Sequence, residues 1–254
     1  MSEDLRRAFD AQGFWITPRP IFSTSDLARF AEIIKEHVAT LGSAFADEID
    51  KPHIADRRLL EFLLHPAILD LVSAVCGPDI VLGSSHLFAK RPRIGKATPW
   101  HNDTAYLQRF LTAPEQAVNV WISIDGSHPG NGCMRVLPAS HRLTLSHLHV
   151  PIPDSDQYVL SRHLPDVDDA KAVDVVMRPG HASLHHPSIL HGARPNTSET
   201  ARTGLVGRFL PAYVKVLEPL PQGHELWLAR GCSHGLNHYR HWPQATTARG
   251  GFPS

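Results

Sequence analysis

The sequence predicts a helical first third followed by an antiparallel β barrel or sandwich. Two observations carry this reading. Apolar residues first recur at helical spacing, and from Ile80 short runs of Val, Ile and aromatic residues alternate with Gly, Pro, Asn and Asp turns. In the first region Leu27, Phe30, Ala31, Ile34, Val38 and Leu41 make one stripe, with Ser23 or Ser25 as the cap of a helix reaching about Leu41. A second helical stretch spans about Arg57 to Cys76, with Pro66 opening a fresh first turn and Gly77 as the stop. Both stripes are expected to pack as core. The strand candidates are Ile80–Arg91, Ala117–Ile124, Cys133–Leu137, Val173–Met177, His181–His186 and Gly204–Val214. Ser146–Ala172 is polar and proline-bearing, as expected of a long active-site excursion.

Bulk properties narrow the classes. The chain has 254 residues, 42% of them hydrophobic, enough for one sizeable core; 25 Lys and Arg balance 25 Asp and Glu. A balanced charge leaves no surplus to neutralise a phosphate backbone, so no nucleic-acid partner is expected. No apolar run approaches the roughly 18 residues of a membrane span. The charged, amphipathic start lacks the apolar core of a secretory signal, and the end carries no lipidation or peroxisomal retrieval motif. Three widely spaced cysteines, Cys76, Cys133 and Cys232, make no disulfide framework. A cytoplasmic setting is expected, with no membrane partner and with monomer and homodimer both open. One domain over 1–254 is the simplest organisation: helices to about 78, barrel from about 79 to 215, then a C-terminal extension.

Histidine is the outlier, at 18 residues. In so histidine-rich a chain a single His-x-Asp pair is what chance provides, so His101-Asn102-Asp103 alone is weak. On a strand, however, residues i and i+2 share a face, and both could then grip one ion. His191, 88 residues after Asp103, would complete two imidazoles and one carboxylate, a set that leaves positions open on iron(II). Zinc accepts the same three ligands. Eleven residues further on, Arg202 follows a turn-rich stretch and can re-enter beside the metal. A buried guanidinium needs a partner, and the far carboxylate of a dicarboxylic co-substrate is one. Arg208 shares its strand parity and is the rival anchor. His185 and His186 are rival ligands until the Pro187 turn is known.

The blocks TPWHNDTAYL, VNVWISID, NGCMRVLPASH and HHPSILHGARPNTSETARTGLVGRF resemble the phytanoyl-CoA dioxygenase family of iron(II)- and 2-oxoglutarate-dependent oxygenases. AFDAQGFWITPRPIFSTSDLARF and HPAILDLVSAVCGPDI resemble its N-terminal half, so the similarity spans nearly the whole chain. The resemblance implies a double-stranded β-helix, a cupin-like jelly roll wrapped by N-terminal helices. It implies iron(II) on His101, Asp103 and His191, and 2-oxoglutarate anchored by Arg202. It also places Trp121 and His86 beside the co-substrate, and gives His141, Asn131 and Gly132 structural turn roles. Which face of the strand bearing Trp121 looks inward stays open: Asn119, Trp121 and Ser123 share one side, Val118, Val120, Ile122 and Ile124 the other.

The implied reaction consumes O2, releases succinate and CO2, and oxidises a C–H bond of a small molecule without an acid–base residue beyond the metal centre. Asp103 stands where halogenating relatives carry a small residue, so hydroxylation or a related oxidation is expected. Two departures stand out: Ala193 where relatives often carry Ser, and His181 where Asp usually follows the glycine. A metal-dependent hydrolase or isomerase on the same barrel, or a non-catalytic jelly-roll module, are the alternatives. Substrate contacts are expected in Phe45–Ile54, Ala105–Leu111, Ser146–Ala172 and the C-terminal segment, because loops carry specificity. Lys51, His53, Arg109 and Arg162 are candidates for an anionic group there, each with a solvated surface role as the plainer reading.

Overall fold

The computed structural model describes residues 2–41, 47–143, 145, 148–152, 158–217 and 220–242. In chain order the elements are α1 (Ser2–Gln12), β1 (Phe14–Ile16), α2 (Thr24–Leu41), β2 (Glu48–Asp50), α3 (Pro52–Ala55), α4 (Leu60–Leu63), α5 (Pro66–Cys76), β3 (Ile80–Lys90), β4 (Thr98–His101), α6 (Thr104–Leu107), β5 (Val118–Ser123), β6 (Met134–Val136), β7 (Val150–Pro151), β8 (Arg162–His163), β9 (Val173–Asp174), β10 (Ala182–His185), β11 (His191–Ala193), β12 (Arg202–Pro211), β13 (Trp227–Arg230) and β14 (Arg240–His241).

The helices start and stop where local chemistry dictates. The Ser23 hydroxyl accepts from the Asp26 N–H at 3.1 Å at the head of α2, satisfying a donor the helix cannot. The second helical stretch breaks before Pro66, which cannot donate and opens α5 as a new first turn. At the far end of α5 the Gly77 N–H closes on Ser73 O at 3.0 Å, with Gly77 at φ +87°. Among the described residues no single helix is long and apolar enough to cross a membrane.

The strands form two main sheets. The larger has eight strands in the order β1-β10-β5-β12-β3-β13-β14, with β2 also paired to β3. The smaller has the order β4-β11-β6-β9. Apart from the β13–β14 and β2–β3 pairs, neighbours are non-consecutive, the crossovers of a jelly roll, and the sheets face each other without closing into a hydrogen-bonded ring. Each expected strand forms at least in part: Val173–Met177 is reduced to Val173–Asp174, and the last runs Arg202–Pro211, beginning two residues earlier and ending three earlier than expected.

Two cores divide the large sheet by face. Val118, Val120, Ile122, Leu184, Leu205 and Phe209 pack outward under the helices, against Phe30, Leu60, Phe62 and Val72. Phe30 and Phe62 stack with centroids 4.0 Å apart. Each such buried side chain contributes roughly 1.5–3 kcal/mol. Trp121, Met134, Val136, Val175, Ile189 and Val206 fill the space between the sheets. The parity left open by sequence is thereby settled: the aliphatic side of β5 lies under the helices, and Asn119, Trp121 and Ser123 look inward.

Candidate metal centre and co-substrate pocket

The His-x-Asp pair meets the ion by a route different from strand parity. β4 ends at His101, and Asp103 lies beyond it in helical geometry (φ −72°, ψ −27°) as the residue that opens α6. The bend is fixed from the other side of the site. The Asp103 and Thr104 N–H groups both donate to Pro187 O, at 2.7 and 3.1 Å, and the Thr104 and Ser188 hydroxyls bond at 2.8 Å. The turn that precedes His191 therefore clamps the turn that carries Asp103.

β11 pairs with β4 so that His191 lies directly opposite His101, and the two ring centroids are 4.1 Å apart. Donor atoms of His101, Asp103 and His191 lie within 4.8 Å of one another, the span of ligands around one ion. Backbone carbonyls fix which nitrogen each ring offers. His101 Nδ1 donates to Pro99 O at 2.8 Å and His191 Nδ1 to Ile189 O at 3.0 Å. Each Nε2 lone pair is left for the metal, the outer-shell device that sets tautomer and ring orientation. Burial, reinforced by His191, pushes His101 down to about 3, so its imidazole is neutral at physiological pH. For Asp103, burial favours the acid, but the Arg208 guanidinium outweighs it and holds the carboxylate well below its usual range.

The carboxylate is itself held. Asn119 Nδ2 donates to Asp103 Oδ2 at 2.7 Å, and Arg208 Nε donates to Asn119 Oδ1 at 3.0 Å. Arg208 Nη2 stands 3.4 Å from Asp103 Oδ1. Arg208 is thus engaged with Asn119 and the Asp103 carboxylate. Neither Asn119 nor this role of Arg208 was legible beforehand; the signal was their place on the inward faces of β5 and β12. The rival histidines separate. His185 lies beside the cluster, its Nε2 3.9 Å from Asp103 Oδ2, while the His186 ring stacks towards His141 and Phe9.

Arg202 is 3% exposed. Its Nη1 donates to Gly132 O at 2.7 Å, its Cζ lies 5.1 Å from the centre of the Trp121 ring, and its Nε is buried without a hydrogen-bond partner. Among the described residues no carboxylate pairs with it. Burial lowers it to about 10. Lys90, opposite it on β3, is lowered to about 6 by burial and then by the Arg202 charge. Lys90 already donates to Arg194 O at 2.7 Å, so it is the Arg202 guanidinium, buried with an unmet donor, that fits a carboxylate anion. Gly204 completes the recess: a Cβ there would stand 2.1 Å from the Trp121 indole. Gly132, at φ +71°, has no room for a Cβ either, which would meet Arg194 O at 2.4 Å.

His101, Asp103, His191, Arg202 and Trp121 line one cavity of about 870 Å³ that also contains His86, Tyr106, His185 and Arg208. His86 sits in its wall with Nδ1 3.0 Å from Glu48 Oε1 and its ring stacked on Phe88. Asn131 and His141 hold turns as expected: Asn131 Oδ1 accepts from the His128 N–H, and His141 Nε2 is 3.3 Å from Asp10 O. His181, after Gly180 at φ +79°, turns to Thr17, its Nδ1 2.8 Å from Thr17 O; it ties the sheet to the N-terminal segment. Ala193 lines the cavity without a hydroxyl to offer. Of the expected substrate segments, Asp47–Lys51, Tyr106–Leu111 and Tyr158–Leu160 reach the cavity in part, while 42–46, 144, 146–147 and 153–157 lie outside the described residues.

A jelly roll carrying two histidines and one aspartate in this arrangement, with a buried arginine at the far end of the recess, defines the class of iron(II)- and 2-oxoglutarate-dependent oxygenases. The chain belongs to the phytanoyl-CoA dioxygenase (PhyH) family, whose profile matches residues 21–204. It is 25% identical over 237 residues to the peroxisomal phytanoyl-CoA dioxygenase of Bos taurus, covering 84% of this chain and 69% of that protein. It spans under half the length of the mouse and human counterparts it also matches. It is 24% identical over 205 residues to a probable alpha-ketoglutarate-dependent hypophosphite dioxygenase of Stutzerimonas stutzeri, covering 73% of this chain and 70% of that protein. Among solved structures, the non-haem monooxygenase ThoJ superposes with a TM-score of 0.76 at 24% identity, covering 94% of this chain and 87% of that one.

Proposed function

We propose that the chain couples oxidation of an unactivated C–H bond of a free small molecule to the decarboxylation of 2-oxoglutarate. The balance is RH + O2 + 2-oxoglutarate giving ROH + succinate + CO2. The observation that carries this reading is the conjunction of the His101–Asp103–His191 cluster with Arg202, a buried cation without a carboxylate partner, in one cavity.

In this reading His101 Nε2, Asp103 and His191 Nε2 hold iron(II). Arg202 pairs with the far carboxylate of 2-oxoglutarate, Trp121 walls that end of the recess, and His86 flanks it from β3. The bound iron supplies activation of O2. The chain's own residues do the rest: Asn119 and Arg208 keep Asp103 ionised and aimed, the backbone carbonyls orient both imidazoles, and the aromatic and aliphatic walls keep water out. No side chain is required as a proton-transfer catalyst. Retention of Asp103 favours hydroxylation over halogenation.

The cavity mouth supports a free substrate over one carried on a polyanionic thioester. Its cations are interleaved with acids: Lys51 pairs with Asp50, and Arg91 stands 3.9 Å from Asp47. Arg109 lies over the Phe110 ring. We read the chain as one catalytic domain working in a reducing, cytoplasmic setting, a reading supported by three free thiols, two of them buried.

The test is anaerobic reconstitution with iron(II) and 2-oxoglutarate. A metal-to-ligand absorption band should appear, and admitting O2 should convert 2-oxoglutarate to succinate. In Asp103→Ala both should fall by at least about 100-fold, in line with the loss of a metal ligand. Turnover independent of O2 and 2-oxoglutarate would point instead to a hydrolase or isomerase.

A further inference from the structure

Register along β12 orders the cavity. Arg202 pairs with Lys90 at one end of the β12–β3 ladder, Arg208 stands beside Asp103, and Leu210 pairs with Val81 near the other end. The metal cluster thus divides the cavity into an anchor end and a second lobe. Leu107, Leu111, Leu210, Val216, Leu220 and Leu226 line that second lobe, and all belong to one apolar cluster distinct from the main core.

Two polar groups bordering this lobe are already engaged. Arg208 is bonded to Asn119, with Nη1 3.4 Å from Ser84 Oγ, and His224 Nε2 lies 2.7 Å from Gly83 O. Tyr106 differs. Its ring meets His101 edge-on, with centroids 6.2 Å apart, and lines the same cavity. Its hydroxyl is buried with no hydrogen-bond partner. A buried, unsatisfied hydroxyl is costly, and an incoming acceptor atom removes that cost.

We propose that the substrate is an uncharged amphiphile whose aliphatic body fills the leucine-lined lobe and whose carbonyl or hydroxyl oxygen accepts a hydrogen bond from Tyr106. The inference rests on the oxygenase reading and specifies the substrate class. An aliphatic body is favoured over a small ion because the lobe's lining is leucine and valine. The bond to be oxidised lies where the aliphatic body passes the metal cluster, between Tyr106 and Leu210.

The test uses the anaerobic protein loaded with iron(II) and 2-oxoglutarate, with 2-butanone, 2-hexanone and 2-octanone as probes and dissociation constants from ligand-observed NMR. Affinity should rise about fourfold per added methylene. Leu210→Trp and, separately, Leu111→Trp should flatten that dependence while 2-oxoglutarate affinity is retained. Tyr106→Phe should weaken all three ketones by a common factor of roughly 2–10, leaving the chain-length dependence intact. An affinity independent of chain length, or a dependence that survives whichever tryptophan variant folds, overturns the lobe assignment. Equal binding by Tyr106→Phe overturns the hydroxyl contact. The same graded series in metal-free protein separates the two readings: it would persist if only the iron and 2-oxoglutarate assignment were wrong.

Discussion

Arg202 is secured by one backbone carbonyl and one indole face, and its Nε has no hydrogen-bond partner among the described residues. Truncating one member of a buried, hydrogen-bonded charge pair costs roughly 2–5 kcal/mol. Arg202→Ala should therefore raise the dissociation constant for 2-oxoglutarate by about 30-fold to several thousand-fold. Iron(II) binding should change little, because Arg202 contacts none of the three ligands. Arg202→Lys should recover only part of the affinity, since a point charge cannot reproduce a two-pronged pair. Calorimetric titration of 2-oxoglutarate into the metal-loaded variants reads both effects. Unchanged 2-oxoglutarate affinity in Arg202→Ala would move the anchor elsewhere, with Arg208 the next cavity-lining arginine on the same strand.

Among the elements, β12 carries the most function, and the sequence shows why only part of it could be read in advance. Residues 202, 204, 206 and 208 alternate inward, so the shared parity of Arg202 and Arg208 was visible. Their different partners were not, because those depend on β5, β10 and the Asp103 turn arriving from distant parts of the chain. The His-x-Asp pair was legible as a metal motif, yet for an incomplete reason. Its two side chains converge through a strand-to-helix bend held by Pro187 O, and no local pattern encodes that bond. The inward side of β5 resisted pattern reading because its outward side is the aliphatic one, buried under helices. Gly204 shows what the glycine in this strand is for. A Cβ would meet the Trp121 indole at 2.1 Å, so Gly204→Ala must displace the ring that flanks Arg202. Overpacking of this kind costs about 1–3 kcal/mol. The variant should melt lower and also bind 2-oxoglutarate more weakly, whereas Gly223→Ala, with open space around it, should leave 2-oxoglutarate affinity as it is. A Gly204→Ala protein with unaltered co-substrate affinity would show that Trp121 is merely structural.

At the scale of the whole molecule, buried histidines couple folding to pH. Burial is the leading cause in each case: His53 is lowered to about 4, with Arg57 adding to it, and His186 to about 4, with His141 adding. In the metal cluster His101 and His185 are lowered to about 3. An unfolded chain binds protons at these positions near pH 6.5 while the folded one does not. Their stabilising contribution is therefore complete above about pH 6.5 and is lost progressively as pH falls towards 3–4. Each proton taken up only on unfolding changes stability by up to about 1.4 kcal/mol per pH unit. Between pH 6.5 and 5 most carboxylates remain ionised in both states, so this window belongs to the histidines. The thermal midpoint of metal-free protein should fall steadily from pH 7 to pH 5 and recover when the pH is restored. His53→Gln removes one titrating site far from the metal cluster and should make the fall shallower, at the expense of some stability at pH 7, since His53 Nδ1 bonds Ser85 Oγ at 2.5 Å. Bound iron(II) should resist the acid loss further, because protons must compete with the metal for His101 and His191. A midpoint that stays level from pH 7 to pH 5 would mean that these rings exchange with solvent in the folded protein, and that the dry interior on which the oxygenase reading depends is open to water.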